Sequence, residues 1–159
     1  MQQPSKMDPR SEAYTERLIS CMQSRLDLAQ SLLALSQAQL SSVSQEDPNV
    51  AISILGRKQT VLDSLTALQE TLRPYFGDDP ELRIWASPQR RDACRELAAS
   101  SSKLLAQAMQ LEEKTIGLVE EKRNAVAAQL QSGSDSVLAS TAYQSGSRLE
   151  EGQLDISDA

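Results

Sequence analysis

Apolar residues recur three and four positions apart over most of this chain, the spacing that lines them up on one side of an α-helix. The first run covers residues 11–44. Its stripe is Ile19, Met22, Leu26, Ala29, Leu33, Ser36, Leu40 and Val43, and a flanking row of Leu18, Cys21, Leu28, Leu32 and Leu35 widens it. That face is broader than a two-stranded seam requires, so this helix should touch more than one neighbour. "SQEDPNV" then marks a turn. Asp47 is placed to cap a following helix, with Pro48 at its first position, where the missing N–H costs nothing. A second helix is predicted over residues 48–73, with the stripe Ile54, Lys58, Val61, Leu65, Leu68 and Leu72, and Pro74 as its stop. Two helices joined by so short a turn should form an antiparallel hairpin.

Residues 74–87 read as a connector and hold most of the aromatic side chains: Tyr75, Phe76 and Trp85. Ile84 and Trp85 are expected to plug one end of the hairpin. Ser87 followed by Pro88 repeats the helix-start signal. The third helix is predicted over residues 88–131, roughly 65 Å at 1.5 Å per residue. Two rows line it, both crowded as far as Leu118 and Val119, as suits a helix packed against the hairpin. One is Leu105, Met109, Glu112, Ile116, Val119, Arg123, Val126 and Leu130; the other is Cys94, Leu97, Ser101, Leu104, Ala108, Leu111, Thr115 and Leu118. Beyond Val119 the apolar residues thin out among alanines.

Ser132-Gly133-Ser134-Asp135 is expected to break this helix. A short amphipathic stretch around Val137, Leu138, Ala142 and Tyr143 follows, then an acidic tail with too little apolar content to fold alone. Residues 1–10 read as disordered. The pattern therefore predicts an all-α chain. An antiparallel hairpin and a long third helix would form an elongated, coiled-coil-like three-helix bundle over residues 11–131. A short C-terminal helix and a disordered tail would occupy residues 132–159.

Composition sharpens this picture. Apolar residues make up 40% of the chain but aromatic ones only 3%, which suits helices sharing narrow seams rather than a thick core. The net charge of −6 argues against nucleic acid, whose affinity comes from clustered Lys and Arg. The most basic run, Arg90, Arg91 and Arg95, is interrupted by Asp92 and Glu96 and reads as a solvated helix face. No run approaches the about 20 apolar residues of a membrane span. The polar first residues lack a signal peptide's apolar stretch, so a cytoplasmic, reduced protein is expected.

Candidate chemistry is sparse. There is no histidine, and the two cysteines, Cys21 and Cys94, sit among apolar neighbours, which suits buried free thiols. A catalytic cysteine lacks its base, and zinc lacks a ligand cluster. "GRKQT" at Gly56 is no phosphate loop, for the upstream glycine is missing. Adjacent glutamates such as Glu112-Glu113 and Glu120-Glu121 suit solvated surface better than acid–base work. The expectation is no enzyme, no catalytic residue, no cofactor and no metal. Polar residues do intrude on the stripes at Lys58, Glu112 and Arg123. They either extend out of a seam edge or, if buried, hold the helices in register.

What remains is binding. "LSSVSQEDPNVAISILGRKQTVLDSLTALQ", a Leu-rich helix, a short acidic loop and a second helix with a lysine among leucines, resembles the flagellar type III export chaperones, FlgN-type above all. The ending "TAYQSGSRLEEGQLDISDA" is similar to that family's Tyr-x-x-Gly stretch and final "LD". "EEKRNAVAAQLQSGSDSVLASTAY" also looks like the end of the related FliT-type chaperones. One departure is the third helix, which carries only Asn124 where FlgN-type chains often have several asparagines.

The resemblance implies a cytosolic chaperone, monomer or homodimer, whose partners are a late flagellar export substrate, typically a hook-associated protein, and the export apparatus. Val119, Val126 and Leu130 would grip the client from the third helix. Val137, Leu138, Ala142 and Tyr143 would form a second patch; the alternative expectation is that this segment folds back and caps the bundle. The competing expectation is a structural coiled-coil adaptor or self-assembling helical protein with no export role.

Overall fold

The computed structural model describes residues 7–45 and 47–156, with side chains through Ser145. Among these residues the chain is all-α: α1 (Glu12–Ser42), α2 (Pro48–Phe76), a short 3-10 turn (Pro80–Leu82) and α3 (Pro88–Ile156). It divides into two compact units, Met1–Ile116 and Gly117–Ala159.

In the first unit each element begins where the side chains dictate. Ser11 accepts the Tyr14 N–H and caps α1. Asp47 accepts the Asn49 N–H ahead of Pro48, and Asp79 does the same for Glu81 ahead of Pro80. Each supplies an acceptor for a helical donor that has no partner within its own helix. Residues 7–10, expected to be disordered, form a turn in which Asp8 accepts from Arg10 and Ser11. The part of that segment before Met7 lies outside the described residues.

α1 and α2 pair as the expected hairpin, and the start of α3 packs on both. The core gathers Tyr14, Leu18, Ile19 and Cys21 from α1, Leu72 and Tyr75 from α2, and Cys94 from α3. Its rings are few but placed closely: Tyr14 and Tyr75 lie 4.3 Å apart, and the Tyr75 hydroxyl donates to the Tyr14 carbonyl at 3.0 Å. Elsewhere most buried positions are small, with Thr15, Ala29, Ser36, Ser101 and Ala108 all enclosed beside the larger Leu32 and Lys58. Small side chains let helix axes approach closely, which explains how a chain poor in aromatics builds an interior.

Of the two rows on α3, the structure buries the second. Ala108 is 3% exposed whereas Met109, next in sequence, is 68% exposed. Trp85 packs against the core as expected, but Ile84 is exposed, and it is its backbone carbonyl that is used, accepting from Thr15 at 2.6 Å.

Polar residues tie the three helices together. Lys58, 6% exposed, donates to Gln39 of α1 and pairs with Glu112 of α3. This lysine does not extend out of a seam edge; it is a buried clamp between α1 and α3. Arg25 donates to Ser101 at 2.6 Å and Ser102 at 3.1 Å, and Arg90 forks onto both carboxylate oxygens of Glu16. The Arg90 guanidinium holds the Glu16 carboxyl below its usual range.

Two boundaries differ from expectation. Pro74 does not stop α2, which continues to Phe76. A proline removes only its own N–H and crowds the turn before it, and burial of Tyr75 holds the residues that follow.

The larger correction concerns α3, which has no break at Ser132–Asp135 and no separate C-terminal helix; it runs on to Ile156. One glycine costs about 1 kcal/mol in a helix, far less than the roughly 3 of a proline, and no proline lies here. Asp135 instead supports the helix by accepting from Gln131 at 3.1 Å, one turn away. The end of the predicted tail, residues 157–159, lies outside the described residues.

Candidate functional site

Two surfaces could hold another molecule, one in each unit. The first is the set of side chains that the sequence singled out. In the second unit Val119, Val126, Leu130, Val137, Leu138, Ala142 and Tyr143 are all exposed, Leu130 at 69% and Tyr143 at 80%. None is sealed by another described residue.

Because α3 is continuous, helix geometry decides which of them share a face. At roughly 100° per residue, Val119, Val126, Leu130 and Val137 fall within about 20° of one line. Val137 therefore belongs with the three helix anchors rather than with a separate patch. Leu138 lies about 100° round from that line, and Tyr143 about 120° round the other way. The second patch, expected to be one helical face wide, is thus dispersed around α3. What is left is an apolar stripe about 27 Å long at 1.5 Å per residue, interrupted by Arg123 and Gly133. Leu138 and Tyr143 flank it on opposite sides.

The second surface was not singled out by sequence. In the first unit an open groove runs over α1 between the last turns of α2 and the first turns of α3. It consists of two adjoining hollows of about 500 and 440 Å³, which share Met22, Leu72, Phe76 and Ala98. Met22 forms part of the floor; Leu65, Leu68, Leu72 and Phe76 form one wall; Cys94, Ala98 and Leu105 form the other, with Trp85 at one end. Met22, Leu65, Leu68, Ala98 and Leu105 are half-buried there, Leu72 and Cys94 are core residues at its base, and Phe76 is exposed.

The groove's charge is unlike that of the whole chain. Arg25, Arg83, Arg91 and Arg95 line it against a single carboxylate, Asp78. Arg25 is engaged with Ser101 and Ser102, and Arg83 donates from Nη2 to the Tyr75 carbonyl at 2.6 Å. Arg91 and Arg95 are exposed and belong to no ion pair among the described residues. Asp78 Oδ2 and Arg83 Nε are buried without a hydrogen-bond partner. The signal available in the sequence was the interrupted run Arg90-Arg91-x-x-x-Arg95, read there as plain solvated surface. The fold separates it: Arg90 and Glu96 line a cleft shared with Glu16, whereas Arg91 and Arg95 line the groove.

Reactive groups do not assemble on either surface. Burial raises the Cys21 and Cys94 thiols above their ordinary range, the opposite of activation. Among the described residues no group of Cys, Asp and Glu is arranged to hold a metal ion, and no helix is long and apolar enough to cross a membrane. Compared with protein-family models, with curated proteins and with solved structures, the chain matches none.

Proposed function

We propose that this protein is a cytosolic chaperone of the flagellar export type, FlgN-like or FliT-like, which holds a late export substrate and hands it on without chemistry. The observation that carries the reading is the exposed stripe Val119–Val126–Leu130–Val137 on α3. A lone helix that displays an apolar line along several turns gains by laying it against an amphipathic helix of a client. The stripe is narrow and contains an arginine and a glycine, so the grip is modest per unit area and easily released, as delivery requires. The quoted stretches around Lys58 and Tyr143 supply the resemblance that names the client class, hook-associated subunits, and the export apparatus as the second partner.

The test is affinity capture from the source cytosol followed by mass spectrometry. Hook-associated subunits are expected with the full chain and absent when Val126→Asp and Leu130→Asp are combined, with helicity unchanged. Recovery of the same subunits by the double variant would overturn the assignment.

One observation favours a second reading. An α3 that continues through Ser132–Asp135 suits a helical adaptor pairing lengthwise with its own copies. Sedimentation separates the two: the adaptor forms concentration-dependent oligomers that the same double variant disperses, whereas the chaperone stays small until a client is added.

A further inference from the structure

We propose that the groove over Met22 and Leu72 in the first unit is a docking site for a single amphipathic helix of another protein, one with carboxylates along its polar edge. This inference does not depend on the export reading or on the stripe of α3.

The shape argument comes first. α1 forms a floor and α2 and α3 form two walls, so the groove has the form of the space left by the fourth member of a four-helix bundle. Along α2 its wall runs from Leu65 to Phe76, about 17 Å at 1.5 Å per residue, which accommodates some three turns of helix. The wall presents Leu65 and Leu68, half-buried, and Phe76, exposed, with the buried Leu72 beneath them, a row against which a partner's i, i+3, i+4 and i+7 anchors can pack. Phe76 is strongly exposed at the edge although apolar, as a rim contact for a visitor would be.

Charge then selects the partner. A protein of net charge −6 places four arginines and one carboxylate around this one apolar hollow. Two of them, Arg91 and Arg95, stand one turn apart on α3 with their side chains exposed, while Asp92 lies off the groove and Glu96 lines the cleft on the other side. A helix bearing glutamates or aspartates one turn apart on its edge would meet both, and like-charged lysines there would be repelled.

The experiment measures fluorescence polarisation of two labelled fourteen-residue peptides with the full-length protein. They share a leucine face at i, i+3, i+4, i+7 and i+11 and differ in carrying either glutamate or lysine at the flanking positions. The glutamate peptide is expected to bind at least tenfold more tightly than the lysine peptide. Arg91→Glu combined with Arg95→Glu, both at exposed positions that leave the fold intact, should reverse the preference. Ala98→Trp, which fills the groove, should abolish binding of both peptides.

Equal binding of the two peptides, or binding of neither, overturns the proposal. So does binding that survives Ala98→Trp but is lost in the Val126→Asp/Leu130→Asp variant, which would place the peptide on the α3 stripe instead. A dimer in sedimentation that Ala98→Trp dissociates would assign the groove to a second copy of the chain and likewise overturn it.

Discussion

Residues 88–116 and 117–145 of α3 are built from the same few amino acids and carry apolar rows at the same three-four spacing, yet they do opposite things. In the first unit the row Cys94–Ser101–Ala108–Thr115 is enclosed although half its members are polar. In the second the row Val119–Val126–Leu130–Val137 is apolar apart from the intervening Arg123 and Gly133, and its four apolar members are exposed. Burial here does not follow hydrophobicity. It follows the presence of a neighbouring helix, which α1 and α2 provide for one segment and no described residue provides for the other. A serine or threonine can be core when its hydroxyl bonds within its own helix, as Thr115 does to the Leu111 carbonyl. A valine can be surface when nothing is packed on it.

Truncating one leucine in each unit should break this comparison most visibly if it is wrong. Leu72→Ala removes a side chain that is 3% exposed and should cost about 2–5 kcal/mol by chemical denaturation. Leu130→Ala should change stability by less than about 0.5 kcal/mol. Similar losses from both would mean that the stripe of α3 is covered after all.

The two basic residues that interrupt apolar stripes make a finer version of the same contrast. Lys58→Ala strands Glu112 and Gln39 and should cost roughly 1.5–3 kcal/mol, the range for hydrogen bonds to charged groups. Arg123→Ala, at an exposed position, should be close to neutral. An equal effect of the two on the melting temperature would show that Lys58 is no clamp.

Gly133→Ala probes the continuity of α3. A Cβ there meets nothing within 4 Å, so the helix should gain about 1 kcal/mol locally. Amide exchange should slow around residues 129–137 while the unfolding of the first unit stays the same. No change in exchange would indicate that this turn is not helical in solution.

The smallest effect concerns the thiols. Cys21 and Cys94 have raised folded-state pKa values because burial disfavours the thiolate. Their contribution to stability is complete below the unfolded thiol value, about 8.5, and is lost as pH climbs beyond it, because the unfolded chain then releases protons that the folded one keeps. The melting temperature should fall as pH rises past about 8.5, and this fall should shrink when both cysteines become alanine. A fall of undiminished size in that variant would have to come from other groups.

Much of the fold was legible because helix periodicity and capping are local. The hairpin, the Asp47-Pro48 start, the Ser87-Pro88 start and the buried free cysteines all follow from residues a few positions apart. Pro74 and Gly133 misled for one reason: both are penalties of a few kcal/mol or less, and neighbouring turns or tertiary packing can absorb them. The candidate site was only partly legible. The exposed residues of α3 were named from the thinning of the pattern, but the relation of Val137 to Leu130, and of Tyr143 to neither, needed the helix to be continuous. The groove was invisible, because Leu65, Arg91 and Met22 are brought together by three helices and have no signature in sequence order.

The amino-acid order alone determined that this chain makes helices, where two of its turns fall, and that it carries no histidine and only two cysteines. Those properties depend on backbone propensity and side-chain inventory, which no packing can add or remove. Only the tertiary structure decided which of two equally spaced rows on α3 is interior, that Lys58 is a clamp, and that four arginines of an acidic protein border one apolar groove. Each of those is a property of the distance between helices, and a helix does not encode the position of its neighbour.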